Sequence, residues 1–286
     1  MIKCGIDIGG TNIKFGFFND KKLFFSFNIK TPTEKDKVLP EIIKAIKEKK
    51  NSNLIEKFVV CIPGVIKDNI VIYAPNTNIV GLNIYDSLSK AFNVSDILIE
   101  NDANLAALAE ARATNTKDLV MITLGTGLGA GIIIDGKLYN KNGFAGEVGH
   151  IKVEFGPYAR HCGCGRYGCV EAYCSAKNMV IEYNKKHKTE LNSKELFDLY
   201  DQKDPDAVKC IEHFARYLGI LISNLNCTLA INEFRIGGGL SLRGDTFIPL
   251  VEKYYKLNVI DGLTNTCNIR KAELLNKAGI YSAMYL

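Results

Sequence analysis

The sequence predicts an α/β protein built from two similar lobes. Its 286 residues are about twice the usual length of a single domain. A strand, a turn with glycine and threonine, and a second strand occur twice, at 2–18 and at 119–134. Apolar residues at helical spacing follow each pair, at 35–50 and at 206–229. Because the two pairs are alike, we expect each lobe to offer a phosphate-binding turn to one nucleotide held between them.

The composition excludes several classes of protein. Apolar residues make up 47% of the chain and charged residues 23%, as in ordinary globular proteins rather than disordered ones. The net charge of +5 comes from scattered lysines, so neither a nucleic-acid partner nor a membrane surface is expected. The longest uncharged run, 119–134, is too short and too rich in glycine to span a bilayer. Nine cysteines and no charged, apolar leader favour reduced thiols in the cytoplasm.

Periodicity predicts the other elements of secondary structure. Short apolar runs predict further strands at 23–30, 58–62, 70–73, 97–100 and 234–236. Helical spacing predicts helices at 35–50, 83–92, 103–113, 170–186, 193–200, 206–229, from the last glycine turn to about 256, and within 272–286.

The first strand ends at a glycine turn that has a carboxylate before it and a hydroxyl after it. Asp7 precedes Gly9 and Gly10, and Thr11 follows them. The exposed N–H groups of such a turn can cradle a phosphate while the carboxylate meets a water bound to magnesium. A bare hairpin turn explains the same residues equally well.

Two later glycine turns carry the same kind of chemistry. Gly125-Thr126-Gly127 connects two strands and repeats the first turn. Gly237-Gly238-Gly239 follows a strand and precedes a helix. A triple glycine is sometimes only a flexible turn, but beside two phosphate turns it more readily lets adenine or ribose approach the backbone.

A polar pair follows the strand at 97–100 and opens an alanine-rich helix. Asn101 or Asp102 is a common choice for the N-cap of that helix. A carboxylate at a strand end is also placed to accept a proton from a substrate hydroxyl. The sequence order by itself favours the cap.

Three thiols crowd into the stretch GEVGHIKVEFGPYARHCGCGRYGCVE at 146–171. Cys162, Cys164 and Cys169 are separated by glycines, which let a short chain turn several sulfurs toward one point. A tetrahedral zinc ion is the simplest reason for such spacing, and ordinary reduced thiols are the alternative. His150 is favoured as the fourth ligand over His161, because a residue next to Cys162 must bend sharply to share its metal.

These residues together resemble the ROK family of sugar kinases and repressors, within the actin-like and hexokinase-like ATPase fold. The resemblance spans nearly the whole chain, and the string C-x-C-G-x-x-G-C-x-E is its most specific motif. The matching segments are, in order, 7–11, 100–104, 125–129, 147–150 and 162–171.

The resemblance implies two ribonuclease-H-like lobes flanking an active-site cleft. The smaller lobe is expected to comprise 1–114 plus 270–286, and the larger lobe, which carries the zinc site, 115–269. It also implies an ATP-dependent kinase that phosphorylates the 6-hydroxyl of a hexose. Asp102 is then the general base, rather than an N-cap.

The residue patterns and the resemblance together give a set of site residues. The expected sugar-binding residues are Gly64, Asn76, Asn101, Asp102, Glu147, His150 and Glu171. The expected residues for Mg²⁺ and ATP are Asp7, Gly9, Gly10, Thr11, Lys14, Gly125, Thr126, Gly127, Gly237, Gly238 and Gly239. A structural zinc ion is expected on His150, Cys162, Cys164 and Cys169.

The choice of sugar stays open at this stage. The Cys-Gly-Cys-Gly form argues against fructose and makes glucose the leading substrate, although N-acetylmannosamine and N-acetylglucosamine kinases share this loop. A sugar-responsive transcriptional regulator is the alternative from another class, but such relatives carry a DNA-binding module before the first phosphate turn. Polyphosphate as the phosphoryl donor is disfavoured by the cysteine string. The resemblance also implies a homodimer, which is common in this family.

Overall fold

The computed structural model describes residues 1–19, 22–49, 52–74, 77–274 and 279–286. The chain divides into two compact units. Unit 1 comprises Met1–Asn115, Asn140–Ala145 and Lys277–Leu286, and unit 2 comprises Thr116–Tyr139 and Gly146–Asn276. The short segment Asn140–Ala145 therefore belongs to unit 1, although the chain on both sides of it belongs to unit 2.

Unit 1 is built on a five-stranded sheet in the order β3-β2-β1-β4-β7. Its strands are β1 (Ile2–Ile8), β2 (Asn12–Asn19), β3 (Lys22–Lys30), β4 (Ile55–Ile62), β5 (Val65–Lys67), β6 (Ile70–Tyr73) and β7 (Ile97–Asn101). Its α-helices are α1 (Lys35–Lys47), α2 (Ile84–Phe92) and α3 (Asp102–Thr114). The first three strands pair antiparallel, β4 and β7 run parallel to β1, and β5 and β6 form a separate hairpin.

Unit 2 repeats this arrangement in the order β10-β9-β8-β11-β12. Its strands are β8 (Leu119–Leu124), β9 (Leu128–Ile134), β10 (Lys137–Leu138), β11 (Glu233–Gly237) and β12 (Asn268–Lys271). Its α-helices are α4 (Glu171–Cys174), α5 (Ile181–His187), α6 (Ser193–Asp201), α7 (Pro205–Leu229) and α8 (Gly244–Lys256). Three antiparallel strands are again followed by two parallel ones, which confirms the repeat predicted from the two strand pairs.

Helix α7 supplies much of the core of unit 2. Its first turn is set by Asp204, whose side chain accepts hydrogen bonds from the backbone N–H groups of Asp206 and Ala207, and by Pro205 at the first helical position. Buried apolar residues recur along one stripe of the helix, as at Ile211 and Leu218. The predicted bounds of this helix, 206–229, are correct to one residue.

The helix predicted over 170–186 is wrong. Helix α4 ends at Cys174, Ser175 is extended, and helical structure resumes only at α5. The backbone N–H of Ala176 donates instead to the carbonyl of Gly125, at 2.8 Å. A contact with a distant turn therefore overrides the local helical pattern.

The helix predicted within 272–286 is also wrong where the structure describes that range. Residues 272–274 are not helical, and Gly279–Met284 forms a 3₁₀ helix. That 3₁₀ helix packs against β1, β2 and β4, with the carbonyl of Ile280 lying directly over Gly5. A backbone that must approach a strand so closely is held by its packing rather than by its helical propensity.

Candidate active site

The first glycine turn closes the hairpin between β1 and β2. The N–H of Gly9 donates to the carbonyl of Asn12 at 3.1 Å, and the hydroxyl of Thr31 donates to the carbonyl of Gly9 at 2.6 Å. Asp7 lies opposite Lys14 in the ladder, and its Oδ2 is 3.4 Å from Lys14 Nζ. The predicted residues Asp7, Gly9, Gly10, Thr11 and Lys14 therefore share one end of this hairpin, where Gly10 and Thr11 are exposed.

The other two glycine turns lie side by side in unit 2. Gly125–Gly127 joins β8 to β9, and the N–H of Gly125 donates to the carbonyl of Gly127 at 3.0 Å. Gly238 has a φ of +79°, and a Cβ there would lie 2.5 Å from the carbonyl oxygen of Leu124. A side chain at position 238 would therefore push apart the two turns. A 3₁₀ helix, Gly239–Arg243, separates the third turn from α8, so the helix does not begin directly at the glycines as predicted.

Asn101 takes one of the two roles that the sequence left open, that of the N-cap. Asn101 is the N-cap of α3, because its Oδ1 accepts the backbone N–H of Asn104 at 2.7 Å. Asp102 is the first helical residue, and its Oδ1 accepts the N–H of Ala103 at 2.8 Å. The N-cap of α3 is thus supplied by Asn101, and the carboxylate of Asp102 is not needed for that purpose.

The Asp102 carboxylate is solvent-accessible, yet protein atoms crowd the space around it. This burial raises the pKa of Asp102 above its ordinary value of 3.8, and the nearby negative charge of Asp7 adds to the rise. The N–H of Ala103 opposes the shift by stabilising the ionised form. An accessible carboxylate with a raised pKa is the kind of group that general bases use.

Four potential metal ligands meet in unit 2. The ligand atoms of His150, Cys162, Cys164 and Cys169 all lie within 4.8 Å of one another. Nδ1 of His150 is 3.8 Å from Sγ of Cys162, and Sγ of Cys164 is 3.7 Å from Sγ of Cys169. A tetrahedron with Zn–S bonds of about 2.3 Å has edges of about 3.8 Å, so these two separations fit a zinc site, and the donor atoms are of the type that zinc takes.

His150, rather than His161, faces the three thiols. It ends the 3₁₀ helix Val148–His150, so it approaches the cysteines from a separate part of the chain. His161 packs instead against the ring of Tyr167, with 5.1 Å between ring centroids. The backbone around the cysteines turns tightly, since the N–H of Cys162 donates to the carbonyl of Arg166 at 2.7 Å.

The predicted sugar-binding residues of unit 2 are attached to this cluster. Nε2 of His150 points away from the sulfurs and lies 3.8 Å from Oε2 of Glu147. Oε1 of Glu171 is 3.7 Å from Sγ of Cys162, while its Oε2 accepts the N–H of Leu128 at 2.9 Å. A Cβ at Gly127 would lie 2.6 Å from that same Oε2. Glu171 therefore connects the thiol cluster to the second glycine turn, a contact that the sequence did not predict.

The two remaining predicted residues follow β4 and β6. Gly64 lies between β4 and β5, where its backbone packs against the carbonyl of Tyr73 at the end of β6. Asn76 lies outside the described residues. Sequence reasoning also missed Glu100 and Asn140, which meet beside α3. Glu100 lies on β7 and Asn140 is forty residues later in the chain, so their contact leaves no signal in the sequence.

Comparison with known proteins identifies the family. A model of the ROK family matches residues 3–286. The chain belongs to the ROK family. It is 30% identical to a glucokinase of Halalkalibacterium halodurans, over 99% of this chain and 93% of that protein. It is 29% identical to an N-acetyl-D-glucosamine kinase of Vibrio atlanticus, over 83% of this chain and 84% of that protein.

A solved structure of a ROK family member agrees. The crystal structure of a ROK family glucokinase from Streptomyces griseus in complex with glucose and AMPPNP is 28% identical to this chain. It matches with a TM-score of 0.78, over 99% of this chain and 98% of that one. The predicted family and the predicted α/β, actin-like ATPase fold class are therefore confirmed. Among the described residues, no helix of this ROK protein combines the length and the apolar character needed to cross a membrane.

Proposed function

We propose that this ROK protein is an ATP-dependent kinase that phosphorylates the 6-hydroxyl of a hexose, with glucose as the leading substrate. The observation that carries the proposal is Asp102, an accessible carboxylate with a raised pKa at the start of α3. It occurs in a chain similar over nearly its whole length to a glucokinase. The nearby Asn101 uses its oxygen for capping, so its NH₂ group is the part that it is proposed to offer to a sugar hydroxyl.

In the proposed reaction, Asp102 accepts the proton of the sugar hydroxyl as the hydroxyl oxygen attacks the γ-phosphorus of Mg·ATP. A bond forms between that oxygen and the γ-phosphorus, the bond from the γ-phosphorus to the bridging oxygen breaks, and ADP leaves with the released electron pair. Phosphoryl transfer depends on positioning and on charge neutralisation more than on covalent chemistry. The proposed contribution of the protein to this step is accordingly one base, N–H donors for the phosphates and residues that position Mg²⁺ and the sugar.

The glycine turns are proposed to hold the nucleotide. Gly9, Gly10 and Thr11 on unit 1 and Gly125, Thr126 and Gly127 on unit 2 are the proposed phosphate turns. The N–H groups of Gly9 and Gly125 close these turns, so those of Gly10, Thr11, Thr126 and Gly127 are the proposed donors to phosphate oxygens. Gly237–Gly239 offers backbone without side chains for the ribose or adenine. Asp7 is the proposed acceptor for a water on magnesium, and Lys14 lies 3.4 Å from it as a second charged group.

A structural zinc ion on His150, Cys162, Cys164 and Cys169 is proposed to brace the sugar-binding residues. When bound, the ion would cross-link these four side chains and keep no open position for a substrate. His150 would use Nδ1 for the metal and leave Nε2 for Glu147 or a sugar hydroxyl. The bound ion would in this way hold the side chains of Glu147, His150 and Glu171 in fixed positions relative to one another.

The substrate is tested by measuring ADP release with Mg·ATP across glucose, N-acetylglucosamine, N-acetylmannosamine, mannose and fructose. We expect the highest kcat/KM with glucose. A higher kcat/KM with N-acetylglucosamine would favour the second candidate, which the similarity to the Vibrio atlanticus kinase supports. Absence of turnover with every hexose, combined with binding to operator DNA in a gel-shift assay, would favour a transcriptional regulator.

The raised pKa of Asp102 predicts the acid side of the pH profile. A general base must be ionised, so kcat/KM should be constant at neutral pH and fall tenfold per pH unit below the pKa of Asp102. Because burial raises this pKa, the fall should begin above the ordinary value of 3.8. Measurement of kcat/KM from pH 3.5 to pH 8 checks it, and a half-maximal value at or below pH 3.8 would contradict the raised pKa.

Location and assembly are further parts of this proposal. All nine cysteines are free, which suits the reducing cytoplasm. Several aromatic side chains near the cysteines are exposed, including Phe155 and Tyr158. Such side chains are common at contacts between subunits, and a homodimer is proposed on that ground. Light scattering on the purified protein measures its mass in solution.

A further inference from the structure

Glu100 lies at the centre of a hydrogen-bond cluster immediately before Asn101 and Asp102. Its Oε2 accepts Nδ2–H of Asn104 at 2.9 Å. Nδ2 of Asn140 donates to Oε1 at 3.0 Å and to Oε2 at 3.1 Å. The two partners are neutral amides from different parts of unit 1, so the carboxylate is held by directional N–H bonds and not merely by attraction to a charge.

The charge of Glu100 fixes which way both amides face. A carboxylate only accepts hydrogen bonds, so each asparagine must turn its NH₂ group toward Glu100 and its oxygen away. The turned-away Oδ1 atoms of Asn104 and Asn140 are buried and accept no hydrogen bond within the described part of the chain. A buried unpaired oxygen costs free energy. Apolar side chains at all three positions, 100, 104 and 140, would avoid that cost, which points to a purpose for the cluster other than stability.

The cluster continues to the catalytic end of α3. Asn104 contacts Glu100 through its side chain and donates its backbone N–H to Oδ1 of Asn101 at 2.7 Å. The N–H of the preceding residue, Ala103, donates to Oδ1 of Asp102 at 2.8 Å. The first turn of α3, which carries the Asp102 carboxylate, is therefore held by two kinds of bond. Its own backbone N–H groups bond to Asn101 and Asp102, and the side chain of Asn104 bonds to Glu100.

Asn140 connects this turn to the segment Asn140–Ala145. That segment is seated on unit 1 at a second point, since a Cβ at Gly143 would lie 2.5 Å from the carbonyl oxygen of Ile66. Glu100 thus joins the end of β7, the first turn of α3 and a segment distant in sequence. Glu100 is thus the common acceptor for the side chains of Asn104 and Asn140.

We propose that Glu100 is a positioning residue that holds Asp102 in the orientation needed to accept the substrate proton. This inference rests on the proposed role of Asp102 as the base. Glu100 acts through the first turn of α3 and not on the substrate, so its loss should lower kcat more than it changes KM for the sugar. Displacement of a catalytic group by a fraction of an ångström to 1 Å is enough to slow a reaction by about 10- to 100-fold.

Glu100→Gln is the variant that tests this role. It keeps the shape of the side chain but replaces one accepting oxygen by an NH₂ group, so one asparagine must either lose its hydrogen bond or turn its amide over, and the fixed orientation of the cluster is lost. We expect kcat to fall by about 10- to 100-fold with a smaller change in KM. Asn140→Ala, which leaves the bond between Glu100 and Asn104 in place, should lower kcat in the same direction by less. Glu41→Gln, on the exposed face of α1, should leave both constants unchanged.

A double-mutant cycle with Asp102→Asn separates positioning from a general structural effect. If Glu100 acts by orienting the base, Glu100→Gln should lower kcat in the wild-type protein but not lower it further in the Asp102→Asn protein. The same factor of loss in both backgrounds would overturn the inference and leave the role of Asp102 intact. Wild-type turnover by Asp102→Asn alone would overturn both. If Glu100→Gln does not fold, as judged by circular dichroism, the same cycle with Asn140→Ala decides.

Discussion

Asp102→Asn is expected to lower kcat for hexose phosphorylation by about 10²- to 10⁴-fold. Asparagine has nearly the volume of aspartate and keeps an oxygen for the N–H of Ala103, but it cannot accept a proton. The KM values for sugar and ATP should change much less, because the proton is transferred only in the transition state. Steady-state ADP release at saturating glucose measures kcat.

The same variant should remain folded. Burial raises the pKa of Asp102, so the ionised carboxylate is less favourable in the folded chain than in the unfolded chain. An acid with a raised folded-state pKa destabilises the fold as pH rises through that pKa, and at neutral pH this destabilisation is present in full. Removing the charge should therefore leave the thermal midpoint at pH 7 unchanged or raise it.

Asp36→Asn is the matched control. Asp36 lies in the first turn of α1, as Asp102 lies in the first turn of α3, and it is exposed. It should keep wild-type kcat. A kcat within threefold of wild type for Asp102→Asn would remove Asp102 from the mechanism, while an equal loss in Asp36→Asn would point to a general effect of charge near helix ends.

Cys164→Ala is expected to remove the metal and weaken sugar binding. The purified wild-type protein should contain about one zinc ion per chain, and the variant should contain much less, because three ligands hold zinc more weakly than four. Glu147, His150 and Glu171 would then lose their common support, and KM for the sugar should rise by about 10- to 100-fold. Elemental analysis and steady-state kinetics measure the two effects.

Cys227→Ala is the control for the metal prediction. Cys227 is exposed and free like Cys164, but it lies on α7 and is not part of the four-ligand cluster. It should retain zinc and KM. Wild-type protein without zinc, or a Cys164→Ala protein with full zinc content and unchanged KM, would contradict the structural role of the metal.

Features set by neighbours along the chain were predictable from the sequence. The strand pairs around the glycine turns follow from alternation and from the turn residues, and the repeated order of strands in the two units follows from their likeness. The position of α7 follows from its apolar stripe and from a proline and aspartate at its start. The crowding of Cys162, Cys164 and Cys169 is likewise a property of a few adjacent residues.

Features set by distant contacts were not predictable in the same way. Ser175 breaks a helical pattern because the N–H of Ala176 donates to the carbonyl of Gly125, 51 residues earlier in the chain. The bond between Glu171 and Leu128, and that between Asn140 and Glu100, also join residues with no local relation. The periodicity of apolar residues indicates which face of a helix or strand is buried, but it does not indicate which distant residue packs against that face.

The most direct test of the central claim is the identity of the product formed from glucose and Mg·ATP. We expect ³¹P and ¹H NMR to show a new phosphate monoester on the C6 oxygen of glucose, formed in equal amount with ADP. The wild-type protein should form it, and the Asp102→Asn variant should not form it at a comparable rate. ADP release without a sugar phosphate, or no phosphorylation of any hexose by the zinc-loaded protein, would contradict the proposed kinase activity.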